Sequence, residues 1–145
     1  MAGKRQPLVD PRGQGWLRDT RGSMVESALT LPLLLLVTLA LVNLALAGYA
    51  SVTANNAVNL AARLGSVEQA NPAATAYAAA QEALQAGVGR YQVQVTQADS
   101  WAGGRVAVRV TWEVPNFFAG LLPLFGAQAG PLRGEAVSVF RKEGW

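Results

Sequence analysis

Between Glu26 and Arg63 this chain carries no Asp, Glu, Lys or Arg, and its stretch from Leu29 to Ala47 is almost entirely Leu, Ala and Val. At about 1.5 Å rise per helical residue, nineteen such positions span roughly 28 Å, close to the ~30 Å hydrocarbon thickness of a bilayer. The run therefore reads as a membrane-spanning helix, with the membrane half over about residues 27–49. Every other feature has to fit around a helix of that kind.

The flanks give it a direction. Residues 1–22 hold Lys4, Arg5, Arg12, Arg18 and Arg21 against Asp10 and Asp19, which accounts for the whole net charge of +3. Beyond Gly22, seven basic residues face seven acidic ones, so the body of the protein is neutral. Excess positive charge on a short flank keeps that flank in the cytoplasm, which places the C-terminal part outside. The leader is rich in Gly, Pro and Arg, has too few apolar residues to bury, and reads as a disordered basic segment. Without interleaved aromatics beyond Trp16 or a folded scaffold, it does not read as a specific nucleic-acid binder.

Composition removes several chemistries. The chain has no Cys and no His, so disulfides, thiolate nucleophiles and the commonest general base and metal ligand are excluded. Glu82, Asp99, Glu113 and Glu135 form no catalytic or metal-binding pattern. The sequence thus points to no enzyme, no metal and no cofactor. Arg105 and Arg109, at strand spacing, read as a solvated face bridged to Glu113 or Glu135 rather than an anion site.

Periodicity supplies the remaining elements. Pro32 lies inside the apolar run and predicts a kink or loosening near residues 28–32 rather than a stop. Past Gly48 the helix continues amphipathically to about residue 66, with Val52, Ala54, Val58, Ala61 and Leu64 as its apolar positions. Asn71-Pro72 signals a second helix that ends near Ala86 before Gly87, with Tyr77, Ala80 and Leu84 on one face. The period then falls to two. Residues 91–98 and 105–114 alternate as half-buried strands joined by a glycine-containing turn, and EAVSVF is a third strand. The expected fold is α+β: a long N-terminal transmembrane helix, a short second helix and a small antiparallel sheet of about three strands. Residues 67–145 form a small extracytoplasmic domain, preceded by the helix over 23–66.

Residues 116–131, between the last two strands, are uncharged and apolar but broken by Gly and Pro, too short to span a membrane. They read either as a loop or short helix over the sheet or as an exposed patch for a neighbouring subunit or the membrane surface, through Phe117, Phe118, Leu121, Leu122, Leu124 and Phe125.

Three fates of the opening segment compete. It could be an uncut signal anchor, a secretory signal cut after Ala45-Leu46-Ala47, or a leader cut at Gly22 on the cytoplasmic side. Glu26 argues for the last. An acid at the edge of a charge-free span is costly unless paired, and cutting after Gly22 creates an α-amino group on Ser23 that could neutralise it, within one chain or between neighbouring helices. A secreted product has no use for such an acid.

The run RGSMVESALTLPLLLL followed by NNAVNLAARLGSV resembles the start of TadE-like proteins, minor pseudopilins of the tight-adherence branch of type IV pili. Val25, Glu26 and Pro32 occupy the positions of that family's Val-Glu pair and helix proline. Two details depart from it: Ser27 stands where the family usually has an aromatic, and Glu26 is fourth rather than fifth after the bond that follows Gly22. The valine-rich strands and the apolar loop also fit a type IV pilin-like fold. The resemblance implies an inner-membrane precursor processed by a prepilin peptidase at Gly22/Ser23. Its partners would be other pilin or pseudopilin subunits and the pilus assembly platform, in a homo- or hetero-oligomeric filament at the cell surface. Glu26 and Pro32 would be its assembly and register residues. The rival reading is a membrane-anchored or released secreted binding module.

Overall fold

The computed structural model describes residues 20–120, 123, 126 and 128–142, with side chains from Met24 onward. The first nineteen residues of the basic leader therefore lie outside the described residues. Helix α1 runs without interruption over Thr20–Val67, starting ahead of the expected residue 23. Helix α2 covers Pro72–Leu84, and strands β1 (Arg90–Ala98), β2 (Arg105–Val114) and β3 (Leu132–Arg141) follow. The strands form one antiparallel sheet in the order β1-β2-β3. The fold is the expected α+β arrangement, with a third strand longer than EAVSVF alone.

The chain divides into two compact units, residues 1–37 and 38–145. In the first, α1 continues through Pro32. Proline has no N–H, so the Ala28 carbonyl lacks its helical donor. Thr30 Oγ1 donates to the Glu26 carbonyl at 2.7 Å one turn before the proline. The large side chains of this unit, from Met24 to Val37, are all exposed.

In the second unit, α1 and the sheet share a core. On the helix it consists of Ala54, Ala57, Val58, Ala61 and Ala62, recurring at the three- and four-residue spacings of one face. Of the five apolar positions read from the sequence, Ala54, Val58 and Ala61 lie in this core, while Val52 (60% exposed) and Leu64 (39%) lie outside it. The reason is distance: small side chains let the helix backbone approach the sheet. Gly65 extends the close approach, since a Cβ there would sit 2.9 Å from the Ala76 Cβ, 3.0 Å from the Pro72 carbonyl oxygen and 3.0 Å from Val106 Cγ1. From the sheet come Val106, Val108 and Val110 of β2 and Ala136 of β3, with Tyr91, Val93, Val95 and Trp112 packed around them.

Helix α2 begins as Asn71-Pro72 implies, with the Asn71 side chain accepting from Ala74 N at 3.2 Å. It buries Ala76, Ala79, Ala80 and Leu84. Tyr77 is exposed and its hydroxyl accepts from Gln81 Nε2 at 3.0 Å, so it leaves the face expected for it. The helix ends two residues short of the expected Ala86. Beyond it, Gly89 has φ +105°, and a Cβ there would run into the Glu113 carbonyl at the start of the β1–β2 ladder. The neighbouring Tyr91 hydroxyl donates to the Val88 carbonyl at 3.0 Å. Burial raises its pKa above the ordinary tyrosine value, with Tyr49 adding to the rise and hydrogen bonds to Thr53 and Val88 opposing it.

The strands alternate as read, exposed Arg90 and Gln92 against partly buried Tyr91 and Val93. A bulge between Val95 and Gln97 shifts the register by one, and Thr96 Oγ1 donates to the Ala107 carbonyl there at 3.2 Å. The β1–β2 turn is closed by Asp99, whose Oδ2 accepts from Arg105 N at 2.8 Å and Gln97 Nε2 at 2.9 Å. Lys142, 1% exposed, donates its backbone N–H to the Gly104 carbonyl and its Nζ to the Ser100 carbonyl, which ties the end of β3 to the same turn. On β2 and β3, Trp112 lies opposite Gly134, whose missing Cβ leaves the space that the indole fills, 2.6 Å from Cε2. Gly134→Ala is expected to push the indole out of register and destabilise the domain by about 1–3 kcal/mol. Thermal unfolding followed by near-ultraviolet circular dichroism reads both effects.

Candidate assembly segment and its polar clasp

The residues singled out for processing and register all lie on α1. Gly22 and Ser23 fall within its first turn, where backbone N–H groups have no helical partner and the helix frays most readily. Glycine lowers the cost of extending that turn by roughly 0.5–1 kcal/mol relative to alanine, so the Gly22–Ser23 bond sits where helix is cheapest to unwind. Glu26, one turn on, is exposed, and no ion pair to it occurs among the described residues. The exposed apolar side chains Met24, Val25, Leu29, Leu31 and Leu33 to Leu36 surround it along the helix. By length and composition α1 is able to cross a membrane: an 18-residue window reaches a mean hydropathy of 2.4 with 6% of it buried. A carboxyl group on a surface of that kind is costly in lipid unless it is paired.

Glu113 and Glu135, two of the acids that form no motif in sequence, have structural partners. Glu113 pairs with Arg133 at 3.0 Å and Glu135 with Arg109 at 3.7 Å, across the strand register that sets Glu113 opposite Arg133. Both pairs are solvent-accessible and contribute about 0.2–1 kcal/mol each. They flank an open depression of about 600 Å³ lined by Arg90, Gln92, Thr111, Trp112, Glu113, Arg133, Gly134 and Glu135. Its charges balance, as the solvated-face reading of Arg109 anticipates, and Arg105 is held at the turn through its backbone N–H.

The apolar loop after β2 opens with a 3-10 turn over Phe117–Gly120. Phe117 is exposed and Phe118 partly buried, while Leu121, Leu122, Leu124 and Phe125 lie outside the described residues. Sequence reading missed what holds this turn: Asn43, the one side-chain amide between Glu26 and Asn55. It is 6% exposed. Its Nδ2 donates to Asn116 Oδ1 at 2.9 Å, and its Oδ1 accepts from Phe117 N at 3.1 Å. Asn116 Oδ1 also accepts from Phe118 N at 3.0 Å, while its Nδ2 donates to the Gly130 carbonyl at 3.1 Å. Two asparagines 73 positions apart thus clasp the loop to α1. The available signal was a lone amide within a charge-free run, an arrangement that calls for a buried partner.

Residues 22–63 match the model of a family described as TadE-like protein. The matched segment is α1 from the Gly22–Ser23 bond to Arg63, so it includes Glu26, Pro32 and Asn43. No curated protein and no solved structure matches the chain.

Proposed function

We propose that this chain, TadE-like over residues 22–63, is a pilin-like subunit of a Tad-type type IV pilus. The observation that carries the proposal is the uninterrupted helix Thr20–Val67, exposed and apolar along its first half and bearing Glu26 near its N-terminal end. The precursor resides in the inner (cytoplasmic) membrane with its basic leader in the cytoplasm and residues 67–145 outside. A prepilin peptidase cuts between Gly22 and Ser23, and the new Ser23 amine pairs with Glu26 of the same or a neighbouring helix. The helix then exchanges lipid for the helices of other subunits, contributing to pilus assembly and through it to adhesion. In this role the protein is a structural subunit without catalytic residues or cofactor, and its partners are the peptidase, other pilins or pseudopilins and the assembly platform.

Mass spectrometry of the mature protein tests the processing step directly. A start at Ser23 is the expected result; a start at Gly48 identifies a secreted binding module, and an intact Met1 an uncut anchor. The pairing step has its own readout. Removing one partner of a buried ion pair typically costs about 3–5 kcal/mol, so Glu26→Ala is expected to lower incorporation into filaments by roughly two to three orders of magnitude. Its outer domain should melt as the wild type does. Normal incorporation of that variant would refute the pairing.

A further inference from the structure

We infer that the turn beginning at Asn116 is a second membrane contact, seated in the outer leaflet beside α1, and that the Asn43–Asn116 clasp holds it there. The inference rests on α1 crossing the membrane and adds to it a partner surface: the lipid of the outer leaflet.

Three observations carry it. The first is depth. Asn43 lies six residues, roughly 9 Å of helix, before Tyr49, the end of the membrane half as read from the sequence. The helix surface around it is built for hydrocarbon, with Leu41 61% and Leu44 70% exposed. A loop pinned to Asn43 is pinned at that level. The second is backbone satisfaction. Phe117 N donates to Asn43 Oδ1, Phe118 N to Asn116 Oδ1, and Ala119 N to the Asn116 carbonyl. Successive N–H groups of an exposed loop ordinarily take water, but here each has a protein acceptor, which is the condition lipid imposes on non-helical backbone. The third is the side chain presented. Phe117 remains 47% exposed beside the clasp, and no charged residue occurs from Pro115 to Leu132. An exposed aromatic on an uncharged loop at that level is an apolar surface suited to lipid.

The absence of cysteine makes the test clean. Single-cysteine variants L35C, F117C and W101C of the full chain carry a nitroxide and are reconstituted in phosphatidylethanolamine/phosphatidylglycerol vesicles. Collision with oxygen, which partitions into lipid, is compared with collision with a water-soluble nickel chelate. Labels at L35C and F117C are expected to favour oxygen and the label at W101C nickel, unchanged as the protein is diluted in lipid. Adding Asn43→Leu is expected to shift F117C severalfold toward nickel while L35C stays put. If F117C tracks W101C while L35C remains lipid-exposed, the inference is overturned and the membrane reading of α1 stands. If L35C is also nickel-accessible, the membrane reading fails as well. Shielding of F117C that disappears on dilution assigns the turn to a second copy of the chain and likewise overturns it, as does an Asn43→Leu variant with no shift.

Discussion

Gly65→Val is expected to lower the melting temperature of the outer domain by roughly 10–20 °C, from a loss of about 3 kcal/mol in a unit of this size. The physical cause is that nothing around Gly65 yields. A Cβ there meets a backbone carbonyl, that of Pro72, and two buried side chains, Ala76 on α2 and Val106 on β2. Ala76 and Val106 are both fully buried, and close-packed interiors resist even one added methylene. Either α2 or the sheet must move away from α1, which opens the alanine seam between them. Thermal unfolding of the detergent-solubilised chain measures the loss. A melting temperature within a degree or two of wild type would show that α2 is free to shift.

The second large effect inverts the usual ranking of residues by size. Ala61→Leu is expected to cost about 1–3 kcal/mol or more, because Ala61 is fully buried in the core shared by helix and sheet. Leu64→Ala, three positions on, removes a much larger apolar group yet is expected to cost well under 1 kcal/mol of domain stability, since Leu64 is 39% exposed and lies outside the shared core. The same melting experiment on both variants decides the point. Equal losses would mean that Leu64 packs inward and that the alanine face is not the contact.

The contrast also marks how far sequence reasoning reached. Elements were legible wherever a local rule applied: Asn71-Pro72 opened α2, and the two-residue alternation around Val93 and Val108 drew the strands. On α1 three of the five positions read as apolar, Ala54, Val58 and Ala61, do pack, whereas Val52 and Leu64 stay exposed, because a hydropathy pattern weights residues by size while this face is mostly alanine. Tyr77 misled in the same way, being large and apolar enough to suggest burial yet turned outward to Gln81. Asn43 went unremarked because its reason for being there lies at Asn116, beyond the reach of any periodicity. Glu26 stood out from charge placement, since a single carboxylate at the edge of a long uncharged run is conspicuous without any tertiary contact, whereas the roles proposed for Gly22 and Pro32 rest on the resemblance of the segment to TadE-like proteins.

The alanine face has a consequence for the order in which the chain is made. Synthesis runs from the N terminus, so α1 is complete before β2 and β3 exist to cover it. A helix waiting with leucines on its inner face would offer roughly 1.5–3 kcal/mol of attraction per residue to any apolar surface it met. An alanine contributes a single methyl, about 0.8 kcal/mol by the same scale. The inner face of the unfinished helix is therefore less adhesive than a leucine face would be. The close fit is gained only when the whole valine face of the sheet arrives.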